Sequence, residues 1–437
     1  VGMGTSLGRE SAIKQTGGVI AGRLAQWFRL SRPEQRLLVA CGVGAGMASA
    51  YNVPVGGALF AIEVLLGSIS LRLAMPALLC SGVATAASWS FLPTSPVYQV
   101  PEYPLSTQLT AWSLVAGPLF GLAAVPLMWS IGWAEKLKPR QGMLVFVTPV
   151  LVLLLLAAVS IPFPQLLGNG KDAVQVAFAD EFSLSLLLVL PILKLLATSG
   201  CLACGATGGL FTPAMTIGAL LGGLFGHLWD RIWPGASMGS CSVIGSCAFL
   251  AAATQGPISA LVLVLELTRH VDATMVPMLL AVTGAMLVAR QLEAQSIYSM
   301  RIHFFDAQAK PGSTPSLPNY SSPIAYDFQA ISAAAGYGQV VRQLLSLPLN
   351  TSLYVVDHEG GLVGKIDARS IEHSNLGAMP ADSAKAADLA TAVQPLHSGM
   401  SDGEIADRLA ATSDVELPVV DEKTGRMIGV MAKKKSG

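Results

Sequence analysis

Apolar segments with few charges recur along the first two thirds of the chain, at 13–28, 36–66, 74–92, 110–134, 143–161, 183–200, 209–228, 240–253, 257–268 and 275–289. Runs near 20 apolar residues match the ~30 Å of hydrocarbon that a helix must cross, so these segments are predicted as membrane helices. Several are short, and glycine or proline interrupts them. Broken helices are tolerated at membrane depth only where the freed backbone is buried in protein or lines a cavity, so the pattern predicts a transport path rather than an anchor. Two polar interludes, 94–108 and the glycine-rich stretch from Gly168 to Glu181, read as loops.

The pattern changes after Tyr298. Residues 306–325 form a Pro/Ser-rich linker. Beyond it the alternation is that of strands, and it repeats. Residues 352–364 and 416–429 each read as strand, acidic turn and strand, behind helix-like segments at 337–346 and 401–411. The expected organisation is a membrane domain over 1–305, a linker over 306–325 and a soluble module over 326–437.

Composition agrees with the membrane reading and narrows the chemistry. Hydrophobic residues make up 52% of the chain, charged residues 12%, and the formal charge is zero; mean hydropathy is +0.57. Such a balance points to no nucleic-acid partner. The six cysteines lie in runs of small apolar residues, so helix packing is expected rather than disulfides, including for Cys201 and Cys204. The chain opens at Val1 inside membrane-like sequence, and a preceding segment is expected in the natural protein.

An internal repeat carries the argument further. Residues 48–63 echo residues 251–266, so that Asn52 pairs with Gln255, Pro54 with Pro257 and Glu63 with Glu266. The same interval places Glu10 on Pro213, within Gly208-Gly-Leu-Phe-Thr-Pro213. Paired halves of this kind are the plan of transporters built from repeats, with the substrate where the halves meet. A glycine turn feeding a helix aims free amides and the positive end of the helix dipole at an anion. Partial charges from amides, rather than a fixed cation, are expected to hold it loosely enough for passage. Glu10, a carboxylate in apolar sequence, is the candidate gate, able to sit on that site ionised and leave it protonated. The competing reading has Glu10 capping its own helix or pairing with Arg9.

These spaced motifs, Gly8-Arg9-Glu10, Gly208–Pro213, the proline-led helices ending at Glu63 and Glu266, and Tyr298, together resemble the CLC family of chloride channels and chloride/proton antiporters. The resemblance implies an all-α polytopic membrane protein with inverted repeats of broken helices, a homodimer with one chloride path per subunit. It assigns the outer gate to Glu10, anion binding to Arg9, Glu10, the amides of Leu210 and Phe211 and the Tyr298 hydroxyl, and the proton route to the neighbourhood of Glu63. The family's inner glutamate position is Val64 here, which cannot relay a proton. Channel-like or weakly proton-coupled conduction is therefore favoured, with chloride/proton antiport the alternative. Ser11-Ala12 replaces the family's Gly-Pro after the gate, which puts the shape of that turn in question.

Glu63, Glu266 and His227 each have a plainer reading as helix-end polar groups. The soluble module resembles a tandem CBS pair, a small α/β domain on the cytoplasmic side. Ser370 stands where a ribose-binding aspartate is expected, so a structural role is favoured over adenine-nucleotide binding and no cofactor is expected. Nothing pairs a nucleophile with a base, so no enzyme is expected. The predicted location is a bacterial inner membrane.

Overall fold

The computed structural model describes residues 4–30, 32–67, 69–104, 106–139, 141–269, 274–292, 295–300, 328–345, 352–367, 384–400, 402–412, 416–422 and 424–432. They fall into two compact units, Val1–Ala309 and Lys310–Gly437. The predicted linker and Ser370 lie outside the described residues.

The first unit is helical: α1 (Glu10–Trp27), α2 (Arg32–Tyr51), α3 (Pro54–Leu59, widening into a π-helical turn over Phe60–Leu65), α4 (Leu71–Ser88), α5 (Thr107–Leu137), α6 (Leu144–Ser160), α7 (Lys171–Phe178), α8 (Leu184–Ala203), α9 (Phe211–Asp230), α10 (Met238–Thr254), α11 (Pro257–Thr268) and α12 (Met275–Gln291). By length and composition, α5, α8 and α9 can each cross a membrane alone. Every residue of α10 is buried, which explains why its sequence is apolar and small on all sides. Helix α6 instead leaves Phe146, Leu151, Leu154 and Leu155 exposed. A contiguous apolar face of that size is costly in water and suits contact with lipid tails.

The apolar segment 36–66 divides where the proline-led helix ending at Glu63 begins, because Asn52 takes a left-handed backbone (φ 55°) and Pro54 starts a new helix. Proline lacks the N–H that would continue α2 and pushes Val53 out of helical geometry. The polar stretch after Gly168 is not all loop: α7 forms within it and buries Ala173, Val174, Ala177 and Phe178, one face at helical spacing.

The interval of 203 residues between Pro54 and Pro257 carries α1 to α9, α2 to α10, α3 with its π turn to α11 and α4 to α12. All four C-terminal ends coincide, and the N-terminal ends differ by at most three residues. Even the break is repeated, since Gln255 is left-handed (φ 58°) just as Asn52 is. The two repeats exchange caps. Glu266, near the end of α11, accepts hydrogen bonds from Val55 N (3.0 Å) and Gly56 N (2.7 Å) at the start of α3. Glu63 accepts from Ile258 N (3.1 Å) and Ser259 N (2.6 Å) at the start of α11. Each carboxylate thus satisfies orphan amides of the other repeat's helix. Such reciprocity is what a two-fold relation between inverted repeats produces. The plainer reading of both glutamates as helix-end groups fits, except that their partners are some 200 residues away rather than local.

The second unit, Lys310–Gly437, is a small α/β domain with two copies of one plan. In the first, β1 (Ala330–Ser332) runs parallel to β2 (Leu353–Val356), which pairs antiparallel with β3 (Leu362–Ile366). In the second, β4 (Leu396–His397), β5 (Glu416–Val420) and β6 (Met427–Ala432) repeat that order, and the register of each hairpin shifts at the equivalent Val-Val step. Helix α13 (Tyr337–Leu345) precedes β2, α14 (Ala386–Leu389) precedes β4 and α15 (Asp402–Ala411) precedes β5. The two copies meet where Met427 N donates to Gly360 O (3.0 Å) and Tyr354 Oη donates to Glu416 Oε1 (3.3 Å).

The acidic turn between β2 and β3 has a testable electrostatic signature. Asp357 Oδ1 accepts from Gly361 N (2.8 Å) and Glu359 N (2.9 Å). The Gly361 amide above all holds this carboxyl below its ordinary value. The turn's contribution is therefore present above the unfolded aspartate value of ~3.9 and is lost as pH falls through the lower folded one. A carboxyl-carbon NMR titration should show a midpoint below ~3.9; one at or above it would mean the ion does not hold the turn.

Candidate anion site at the meeting of two helix starts

The glycine turns ahead of α1 and α9 are joined directly. Gly8 N donates to Gly209 O (2.8 Å) and Gly209 N donates to Gly8 O (2.7 Å), a two-residue antiparallel bridge between the repeats. A Cβ on Gly8 or on Gly209 would collide with the Glu10 carboxyl group. The absence of those two side chains is what lets the glutamate lie flat against the bridge.

Glu10 is the first residue of α1, yet it does not cap α1. Its carboxylate crosses to α9, where Oε1 accepts from Thr212 N (3.0 Å) and Oε2 faces the Thr212 hydroxyl (3.4 Å) and the Tyr51 hydroxyl (3.5 Å). It is 1% exposed. The start of α9 carries roughly half a positive charge, and charge-assisted bonds of this kind contribute about 1.5–3 kcal/mol each. No carboxylate–guanidinium pair joins Glu10 to Arg9. The Arg9 side chain is exposed, its guanidinium 6.0 Å from the centre of the Tyr51 ring. Arg9 therefore lies outside the cavity, contrary to its expected place at the anion. Ser11 and Ala12 are helical residues in the first turn of α1.

Glu10 borders a cavity of about 550 Å³ that Lys14, Phe60, Gly209, Leu210 and Tyr298 also line. The amides of Leu210 and Phe211 donate to no acceptor among the described residues. Helix α9 thus offers further donors beside the one Glu10 uses. Tyr298 packs edge-on against Phe60, ring centres 5.7 Å apart. Its hydroxyl accepts a hydrogen bond from Lys14 Nζ at 3.4 Å.

Sequence reasoning brought together Glu10, Leu210, Phe211 and Tyr298 but missed Thr212, Tyr51 and Lys14. Lys14 was detectable, since a lysine four residues after Glu10 lies on the same helix face, one turn on. It adds a basic side chain to a cavity where the expected donors were backbone amides and the Tyr298 hydroxyl. Val64 packs beside Gly256, close to the Glu63 carboxylate. His227, in the last turn of α9, has Nε2 3.4 Å from Asp180 Oδ1, away from this cavity.

Residues 1–290 match the family model described as voltage gated chloride channel. The chain belongs to that family. It is 30% identical over 309 residues to a putative chloride channel protein ClcB-like of Ralstonia nicotianae, covering 68% of this chain and 71% of that protein. It is also 30% identical over 312 residues to the H(+)/Cl(-) exchange transporter ClcA of Klebsiella pneumoniae, covering 68% of this chain and 65% of that one. The chain thus spans about two thirds of the length of these relatives. Among solved structures, a slow cyanobacterial Cl-/H+ antiporter superposes with a TM-score of 0.63 at 23% identity, over 72% of this chain and 74% of that one. A eukaryotic CLC transporter superposes with a TM-score of 0.57 at 20% identity, over 98% and 77%. The CLC fold, integral to the membrane, is the one described above.

Within that fold, Gly209→Ala is expected to act on Glu10 without touching its chemistry. The added methyl occupies the space of the carboxyl group, so the side chain must leave the start of α9. If Glu10 is the gate, anion flux through this variant loses its dependence on pH although the glutamate is still present. A pH profile matching that of the unaltered protein would show that the carboxylate finds another seat.

Proposed function

We propose that this chain passes chloride across a membrane, one pathway per subunit of a homodimer, with Glu10 as a protonatable gate and with weak or no coupling to protons. The observation that carries the reading is the Glu10 carboxylate seated on the start of α9, at the edge of a cavity shared with Tyr298. An ionised Glu10 takes the place a permeating anion would take. Protonation removes the charge that holds it there, and the Thr212 amide it releases, beside the already unpaired amides of Leu210 and Phe211 and the Tyr298 hydroxyl, becomes available to chloride. No metal or organic cofactor enters this chemistry.

Weak coupling rests on two features of the route a proton would take from the other side. Val64 offers no titratable group. Glu63, the adjacent carboxylate, already accepts two amide hydrogen bonds as a helix cap, and a protonated form would give up part of that role. Strict exchange is the second reading, favoured by the exchange transporters among the relatives. We place the CBS-like unit on the cytoplasmic side, in a structural rather than nucleotide-sensing role.

The test is chloride efflux from proteoliposomes with an internal pH indicator. Efflux with no accompanying proton movement is expected. Uphill proton transport driven by a chloride gradient would establish exchange instead, and absence of anion flux would remove the reading altogether.

A further inference from the structure

Lys14 is a buried cation at the pathway that the gate mechanism does not use. It is 9% exposed, near the start of α1. Its Nζ lies 4.1 Å from the centre of the Phe60 ring, 5.4 Å from that of Tyr298 and 5.6 Å from that of Phe211. Three aromatic faces therefore surround the ammonium, and one of its three N–H groups points to the Tyr298 hydroxyl. Among the described residues no carboxylate oxygen comes within 4.0 Å of Nζ. Glu10, one helical turn away, is committed to Thr212 on α9.

The Glu10 carboxylate serves two positive features at once: it is bonded to the start of α9 and acts on the Lys14 ammonium only from beyond 4.0 Å. Cation–π contacts stabilise Lys14, each by about 0.5–2 kcal/mol, yet they bring no negative charge. A buried ammonium with no carboxylate in direct contact is only partly compensated, and the adjoining cavity of about 550 Å³ has room for an anion that would touch it.

Resting on the reading of this cavity as an anion pathway, we propose that Lys14 is a halide-binding residue, its ammonium and the Tyr298 hydroxyl jointly holding the permeating anion one helical turn from the gate. Glu10 and the bound halide are then two anions answering two positive features, the start of α9 and the lysine. Lys14 strengthens halide binding where amides and a phenol alone would hold the ion weakly.

Bromide and chloride titrations of the purified full chain in detergent, followed by calorimetry, test this. Lys14→Met keeps the length and apolar contacts of the side chain but removes its charge, and it should weaken halide binding by ~10-fold or more. Lys14→Arg keeps the charge and should lose much less. Equal affinity in the unaltered protein and Lys14→Met, within about twofold, would overturn the assignment while leaving the pathway standing. No halide binding by the unaltered protein would overturn both. Should the methionine variant fail to fold, crystals of the unaltered protein soaked in bromide decide the matter. An anomalous peak within ~3.5 Å of Lys14 Nζ is expected, and a peak confined to the amides of α9 would refute the proposal.

Discussion

Glu10→Gln is expected to flatten the pH dependence of chloride flux. If Glu10 is the gate, loss of its charge releases it from α9, and flux through the unaltered protein should rise as pH falls. Glutamine has nearly the same shape and still offers an oxygen to Thr212 N, but it carries no charge to hold or release. Its flux should vary by less than about twofold between pH 5 and 8. Proteoliposome efflux measured at stepped pH is the check. A glutamine variant that keeps the original slope would make Glu10 a structural tie between repeats and move the gate elsewhere. Glu10→Ala should behave alike and leave the path more open, since no side chain remains to cover the start of α9.

The second large effect concerns stability. Glu266→Ala removes the acceptor for two amides at the start of α3, one of them on buried Gly56. Two charge-assisted bonds of about 1.5–3 kcal/mol each put the loss at about 3 kcal/mol or more. Glu63→Ala should cost a similar amount at the start of α11, because the geometry is the same with the repeats exchanged. Thermal unfolding in detergent should show both single variants well below the unaltered protein. A shift under about 2 °C for either would mean that the caps are satisfied in some other way. Glu266→Gln keeps an acceptor without the charge, and an intermediate loss would separate the hydrogen bond from the helix-dipole contribution.

Much of the membrane unit was legible before any coordinates. The match of Asn52-x-Pro54 with Gln255-Gly-Pro257 located the repeat, and proline and left-handed breaks act locally, so the correspondence of α3 with α11 followed from the chain itself. The strand–turn–strand units at 352–364 and 416–429 were equally local, each set by alternation around a turn. Within 36–66 hydropathy runs across the break without a change in polarity, and it was Pro54 that marked where the new helix starts. Helix α7 was passed over because its exposed face is polar enough to look like loop.

At the site the division is sharper. The sequence alone determined that a carboxylate stands at a glycine turn in apolar surroundings, that a second glycine turn occupies the equivalent place in the other repeat, and that the usual inner carboxylate is a valine. Those are properties of residue type and spacing. Only the tertiary structure decided that Glu10 caps α9 rather than α1, that Arg9 stays outside, that Glu63 and Glu266 each close the other repeat's helix, and that Lys14 reaches Tyr298. Each of these depends on contacts between residues far apart in the chain, where hydrogen-bond direction and burial set the partner. A periodicity of 3.6 residues says which face a side chain shares, and nothing about which helix that face will meet.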